Sequence, residues 1–110
     1  DAEATFYWLQ AVDTPDLAFV VTDPLLFVPD YVVPIRDETR AELGISELAQ
    51  TQVLVIVNKV NDTLTANLQG PLVIHAANRT AMQVVISEKK YQTRHPILLI
   101  KANKPLSKSA

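Results

Sequence analysis

The sequence predicts a mainly β domain, a compact antiparallel, barrel-like (pseudo-barrel) fold carrying one short surface helix. Three observations lead there. Six short apolar runs, several dominated by Val and Ile, recur along the chain. Branched side chains suit strands better than helices. Turn residues separate the runs, and only one stretch has helix start and stop signals. Strands with a single helical insertion favour an antiparallel barrel or sandwich; strands alternating with helices would favour a parallel sheet.

The first run, Phe6–Ala11, has a period of two, so Phe6 and Trp8 share a face opposite Tyr7. The reading is core plus one surface ring. Leu17–Thr22 follows, opened by Pro15-Asp16 and closed by Asp23-Pro24. Pro fixes φ and Asp bonds its own backbone two residues on, so these pairs read as turns. Pro29-Asp30 ends the next apolar stretch, "LLF". The helix is expected over Asp37–Leu43. Asp37 is the candidate cap, Glu38 suits the positive end of the dipole, and Gly44 supplies a left-handed stop after which Ile45 packs back on Leu43. One more turn is expected over residues 46–50.

The remaining runs are Val53–Val57, Leu72–Ala76, Met82–Ile86 and Ile97–Ile100. "VLVIV" and "ILLI" are apolar on both alternating faces, so both faces are expected to be covered. "VNDT" (Val60–Thr63), "QGP" (Gln69–Pro71) and "SEKK" (Ser87–Lys90) read as turns. The chain has only two glycines, so its turns rely on Asn, Asp and Pro.

The 110 residues suit one domain, placed at residues 6–100 with a polar tail at 101–110. No cysteine is present, which excludes disulfides and thiolate chemistry. No apolar run reaches the roughly 20 residues needed to span a bilayer. The chain opens on Asp1, its only methionine is Met82, and it is read as lacking the first residues of a longer gene product. The net charge of −2 hides an asymmetry. Residues 1–50 hold ten acidic and two basic side chains, or −8; residues 51–110 hold two acidic and eight basic, or +6. The basic residues are scattered, so direct nucleic-acid binding is not expected. The two halves either attract each other in the fold or present an acidic face to a basic partner.

Candidate chemistry is sparse. Asp13, Asp16, Asp23 and Asp30 could form an acid–base pair, but each lies within two residues of a proline and is explained by its turn. His75 and His95 match no zinc spacing. No Gly-x-Ser-x-Gly elbow and no phosphate loop occurs. "NDT" (Asn61–Thr63) and "NRT" (Asn78–Thr80) fit the glycosylation pattern and are read as turns. No enzyme activity, metal or cofactor is expected.

Three stretches carry a family resemblance: "FYWLQAVDTPDLAFVVTDPLLFVPDY" (Phe6–Tyr31), "LTANLQGPLVIHAANRTAMQVVI" (Leu64–Ile86) and "YQTRHPIL" (Tyr91–Leu98). In this combination the chain resembles the bacterial flagellar assembly factor FliW family over residues 6–98. The family usually has a further N-terminal segment containing strands, and often Asn and Gly where His75 and Ala81 stand. Without that segment the sheet is expected to have an open edge. The resemblance implies a compact antiparallel β-barrel that is not an enzyme and acts in the cytoplasm. It implies binding to flagellin and to the RNA-binding translational repressor CsrA, whose capture relieves repression of flagellin messenger RNA.

From charge and turn exposure, Asp13, Asp16, Asp30, Asp37 and Glu38 are the candidate contacts for the repressor, and Phe27 and Tyr31 for flagellin. Asn67, Arg94 and His95 belong to the family pattern and are assigned structural roles, closing turns at strand ends. The protein is expected to be a monomer when unbound. Two rivals remain. One is a small hydrolase or isomerase with two Asp-Pro carboxylates converging in a pocket. The other is a generic β interaction module that takes a partner's strand at an open sheet edge.

Overall fold

The computed structural model describes residues 5–47, 50–87 and 89–100. Among them are strands β1 (Phe6–Gln10), β2 (Ala18–Thr22), β3 (Thr51–Val60), β4 (Thr63–Ala66), β5 (Leu72–His75), β6 (Ala81–Gln83) and β7 (His95–Leu99), with helix α1 (Asp37–Leu43) between β2 and β3. All pairings are antiparallel. The strand order is β1-β2-β3-β4-β7, and β5 and β6 continue from the first half of β3. The expected mainly β architecture with one short helix is what the chain adopts. Among the described residues the sheet does not close on itself: β1, β6 and β7 each pair along one edge only.

β3 organises the molecule. Its first half pairs with β5 (Thr51↔His75 to Leu54↔Leu72) and its second half with β4 (Val57↔Ala66 to Val60↔Thr63). The chain from β4 to β5 therefore runs alongside one strand, with an irregular segment, Asn67–Pro71, between its two ladders. The Asn67 Oδ1 accepts the N–H groups of Gln69 and Gly70 at 3.1 and 2.8 Å, which closes this turn from within. An Asn side chain bonding the backbone just ahead of it is turn chemistry. Gly70 sits where a Cβ would lie 2.8 Å from the Gln83 amide nitrogen.

The run "VLVIV" is apolar on both faces because both faces of β3 are packed. Val53 and Val55 face a cluster with Tyr31, Ala66, Leu68 and Ile86. Leu54 and Ile56 face another with Val21, Leu72 and Ile74. The second expectation of this kind does not hold. In "ILLI" only Ile97 reaches the core, while Leu98 and Leu99 are 45% and 58% exposed. β7 is an edge strand, paired with β4 alone among the described residues.

The helix begins and ends where the sequence places it, but its cap differs. Arg36 holds the cap position with no side-chain bond, and Asp37 is the first helical residue. Asp37 and Glu38 still place negative charge in the first turn, where the dipole favours it. At the other end Gly44 takes φ 70°; its N–H donates to Ala41 O, and the Ile45 N–H donates to Arg40 O. This pair of bonds is the Schellman arrangement. It turns Ile45 inward to pack with Leu43 and Val73. The turn expected at residues 46–50 includes residues 48 and 49, and the tail at 101–110 likewise lies outside the described residues.

Two further expectations change. β4 was not among the six runs: "TLTA" holds one large apolar residue, and its strand conformation comes from pairing with β3 and β7. In β1, Tyr7 and Leu9 pack toward the core while Trp8 is 77% exposed. Phe6 stacks on Phe27 with ring centroids 6.1 Å apart.

Candidate interaction surface

The hairpin joining β1 to β2 presents Asp13 and Asp16 at its tip. The Ala11 N–H donates to Leu17 O at 3.0 Å and the Leu17 N–H to Thr14 O at 2.8 Å. The Gln10 side-chain amide donates to Pro15 O at 2.7 Å. These bonds fix the loop and leave both aspartates exposed. Asp23 lies at the opposite end of β2, where its Oδ1 accepts the Leu25 N–H at 2.9 Å and starts the 3-10 turn Pro24–Leu26. A five-residue strand is about 17 Å long. Asp13 and Asp16 are thus held apart from Asp23, so neither pairs with it in one pocket.

Asp30 follows Pro29 in the turn closed by Tyr31 N–H to Val28 O at 3.0 Å, and it is exposed. Asp37 and Glu38 are exposed on the first turn of α1. Among the described residues no Asp or Glu oxygen comes within 4.0 Å of a Lys, Arg or His nitrogen. Among the described residues the acidic and basic side chains therefore do not pair at contact distance, and the five candidate carboxylates face solvent. No group of three or more His, Asp or Glu able to hold a metal occurs among the described residues.

The two apolar candidates fare differently. Phe27 is half-buried against Phe6. Tyr31 was expected on a binding surface and is instead only 6% exposed. Its hydroxyl donates to Leu68 O, and its ring meets Tyr91 edge-on at 4.8 Å. Desolvation by burial, and then the neighbouring Tyr91, push the Tyr31 phenol well above its ordinary pKa. A large amphipathic ring with a buried hydrogen-bond partner is a core residue. The sequence signal for this was the alternation of Tyr31 with Val33 and Ile35.

The histidines and the pattern residues are structural in placement. His75 is buried, and its Nδ1 accepts the Ala77 N–H at 3.2 Å in the β5–β6 turn. That turn includes Arg79 at φ 62°, and the β3–β4 turn includes Asn61 at φ 56°. Both glycosylation-like triplets are therefore turns. His95 opens β7 opposite Ala66, and Arg94 sits in the turn just before it.

Sequence reading missed a groove between the extended segment 32–36 and the chain that continues β6. One cleft of about 430 Å³ lies between Val32, Pro34 and Arg36 on one side and Val85, Ser87 and Lys90 on the other. A second, of about 320 Å³, adjoins it through Pro34, Arg36 and Val85 and reaches Glu38. The only hint in the sequence was the alternation of inward Val33 and Ile35 with the residues between them.

Comparison with known proteins places this architecture. The model of the family described as FliW protein matches residues 1–97. The chain is 39% identical to the flagellar assembly factor FliW of Caldanaerobacter subterraneus subsp. tengcongensis, over 89% of this chain and 67% of that protein. It is 41% identical to the flagellar assembly factor FliW of Treponema denticola, over 84% of this chain and 65% of that protein. It thus spans about two thirds of the length of these relatives. A crystal structure of the flagellar assembly factor FliW superposes with a TM-score of 0.80 at 34% identity, covering 93% of this chain and 74% of that one.

Proposed function

The chain belongs to the FliW family, and from that membership we propose that it serves flagellar assembly as a non-enzymatic, cytoplasmic partner-switching protein. In this reading it binds flagellin while flagellin accumulates. Export of flagellin frees it to capture the translational repressor CsrA and relieve repression of flagellin messenger RNA. No described helix is long and apolar enough to cross a membrane.

One observation supports the repressor step: the exposed carboxylates of Asp13, Asp16, Asp30, Asp37 and Glu38 have no ion-pair partner among the described residues. An RNA-binding repressor needs positive charge to hold phosphates. An acidic surface left unneutralised steers such a protein in and disfavours RNA beside it. Phe27 remains the apolar candidate for flagellin, while Tyr31 belongs to the core cluster with Val55, Leu68 and Ile86. Binding of purified flagellin and of purified CsrA, each measured by calorimetry, tests the proposal. Affinity for both, with competition or order dependence between them, is expected. Binding of neither by the full-length protein overturns it.

A further inference from the structure

The groove between segment 32–36 and the continuation of β6 borders a strand edge that is unpaired among the described residues. β6 pairs with β5 in the register Leu72↔Gln83, Val73↔Met82 and Ile74↔Ala81. The same register continues past the end of β6. The Val84 N–H donates to Pro71 O at 2.9 Å and the Ile86 N–H to Gln69 O at 2.8 Å. Alternate residues of an extended chain direct their N–H and C=O groups to opposite edges. Val85 and Ser87 therefore point theirs away from Gln69–Pro71 and toward the groove. Among the described residues no main-chain hydrogen bond joins this edge to segment 32–36 across the cleft.

The groove also has a chemical character. Val85 is 74% exposed and Val32 66% exposed, on opposite sides of the cleft. Val84 and Met82 point the other way and pack with Leu43, Ile45 and Val73, so this wall is anchored. Arg36 and Lys90 both line the larger cleft, and neither has a carboxylate partner among the described residues. Lys90 lies over the Tyr91 ring, 5.1 Å from its centroid, which holds its ammonium near the groove. Among the described residues the one acidic lining residue, Glu38, belongs to the adjoining cleft.

We propose that this groove binds an extended polypeptide segment carrying carboxylates between apolar side chains, added as a strand to the free edge at Val85 and Ser87. Main-chain bonds to that edge hold the segment, Val32 and Val85 contact its apolar side chains, and Arg36 and Lys90 select its acidic ones. Its acidic side chains sit from Arg36 toward Lys90, on the side away from Glu38, which lines only the adjoining cleft.

The test uses a synthetic peptide of alternating valine and glutamate, and a matching valine–lysine peptide, titrated into the isotopically labelled protein. With the glutamate peptide, the amide resonances of Val85, Ser87 and Lys90 are expected to shift, and the lysine peptide should leave them unmoved. The Val85→Pro variant removes the outward N–H, and binding should be lost while the thermal melt stays cooperative. Arg36→Glu combined with Lys90→Glu should weaken the glutamate peptide by about tenfold or more. Equal shifts with both peptides, or shifts that survive Val85→Pro, overturn the proposal. So does self-association through this edge that the peptide fails to displace.

Discussion

The Tyr31 phenol donates to the Leu68 carbonyl from inside the core, and its fate at high pH follows. An unfolded tyrosine loses its proton near pH 10. The folded one holds its proton to higher pH because of burial and then Tyr91. Its contribution to stability is complete below the unfolded pKa and declines as pH rises toward the folded one. Urea unfolding at a series of pH values should show stability falling above about pH 10, less steeply in Tyr31→Phe. At neutral pH that variant leaves the Leu68 oxygen unpaired in the core and should cost about 1–3 kcal/mol. Trp8 offers a second check at this scale. It is the chain's only tryptophan and is largely exposed, so its emission maximum should move little on unfolding.

At the scale of elements, the turns are set by single residues. Gly44 stops α1 at φ 70°, and an added Cβ there meets nothing within 4 Å. Gly44→Ala should therefore cost only the left-handed backbone penalty, about 1 kcal/mol, with the core unchanged. Asn67 is more demanding because one side-chain oxygen satisfies two N–H groups between β4 and β5. Asn67→Ala should cost about 1–3 kcal/mol in chemical denaturation, and Asn67→Asp, which keeps the acceptor, distinctly less. Had the segment been an ordinary loop, the two substitutions would behave alike.

Across the whole molecule, charge rather than packing sets the expected partner behaviour. The acidic candidates sit on separate elements, the β1–β2 hairpin, the turn at Pro29-Asp30 and the start of α1, and none is neutralised among the described residues. In the proposed partner-switching reading, affinity for CsrA should therefore drop as salt is raised and on Asp13→Asn with Asp16→Asn, mainly through slower association. Stopped-flow mixing separates the two rates, and a salt-independent association rate would refute the steering argument. Flagellin binding, if carried by apolar contact near Phe27, should respond far less to salt.

The sequence by itself determined the strand-rich architecture, the helix with its glycine stop, and the turn roles of the Asp-Pro pairs. Each is a local property: branched side chains, a left-handed residue, a ring-fixed φ. It could not determine which face of a strand points inward. Phe6 and Trp8 look as core-worthy as Tyr7, and the choice depends on β1 pairing with β2 over the cluster around Val21. β4 was invisible because "TLTA" becomes a strand only between β3 and β7. The burial of Tyr31 and the groove at Arg36 and Val85 join residues more than thirty positions apart in sequence. Only the tertiary structure decides such meetings, because burial and unpaired edges belong to the arrangement of strands and not to any one of them.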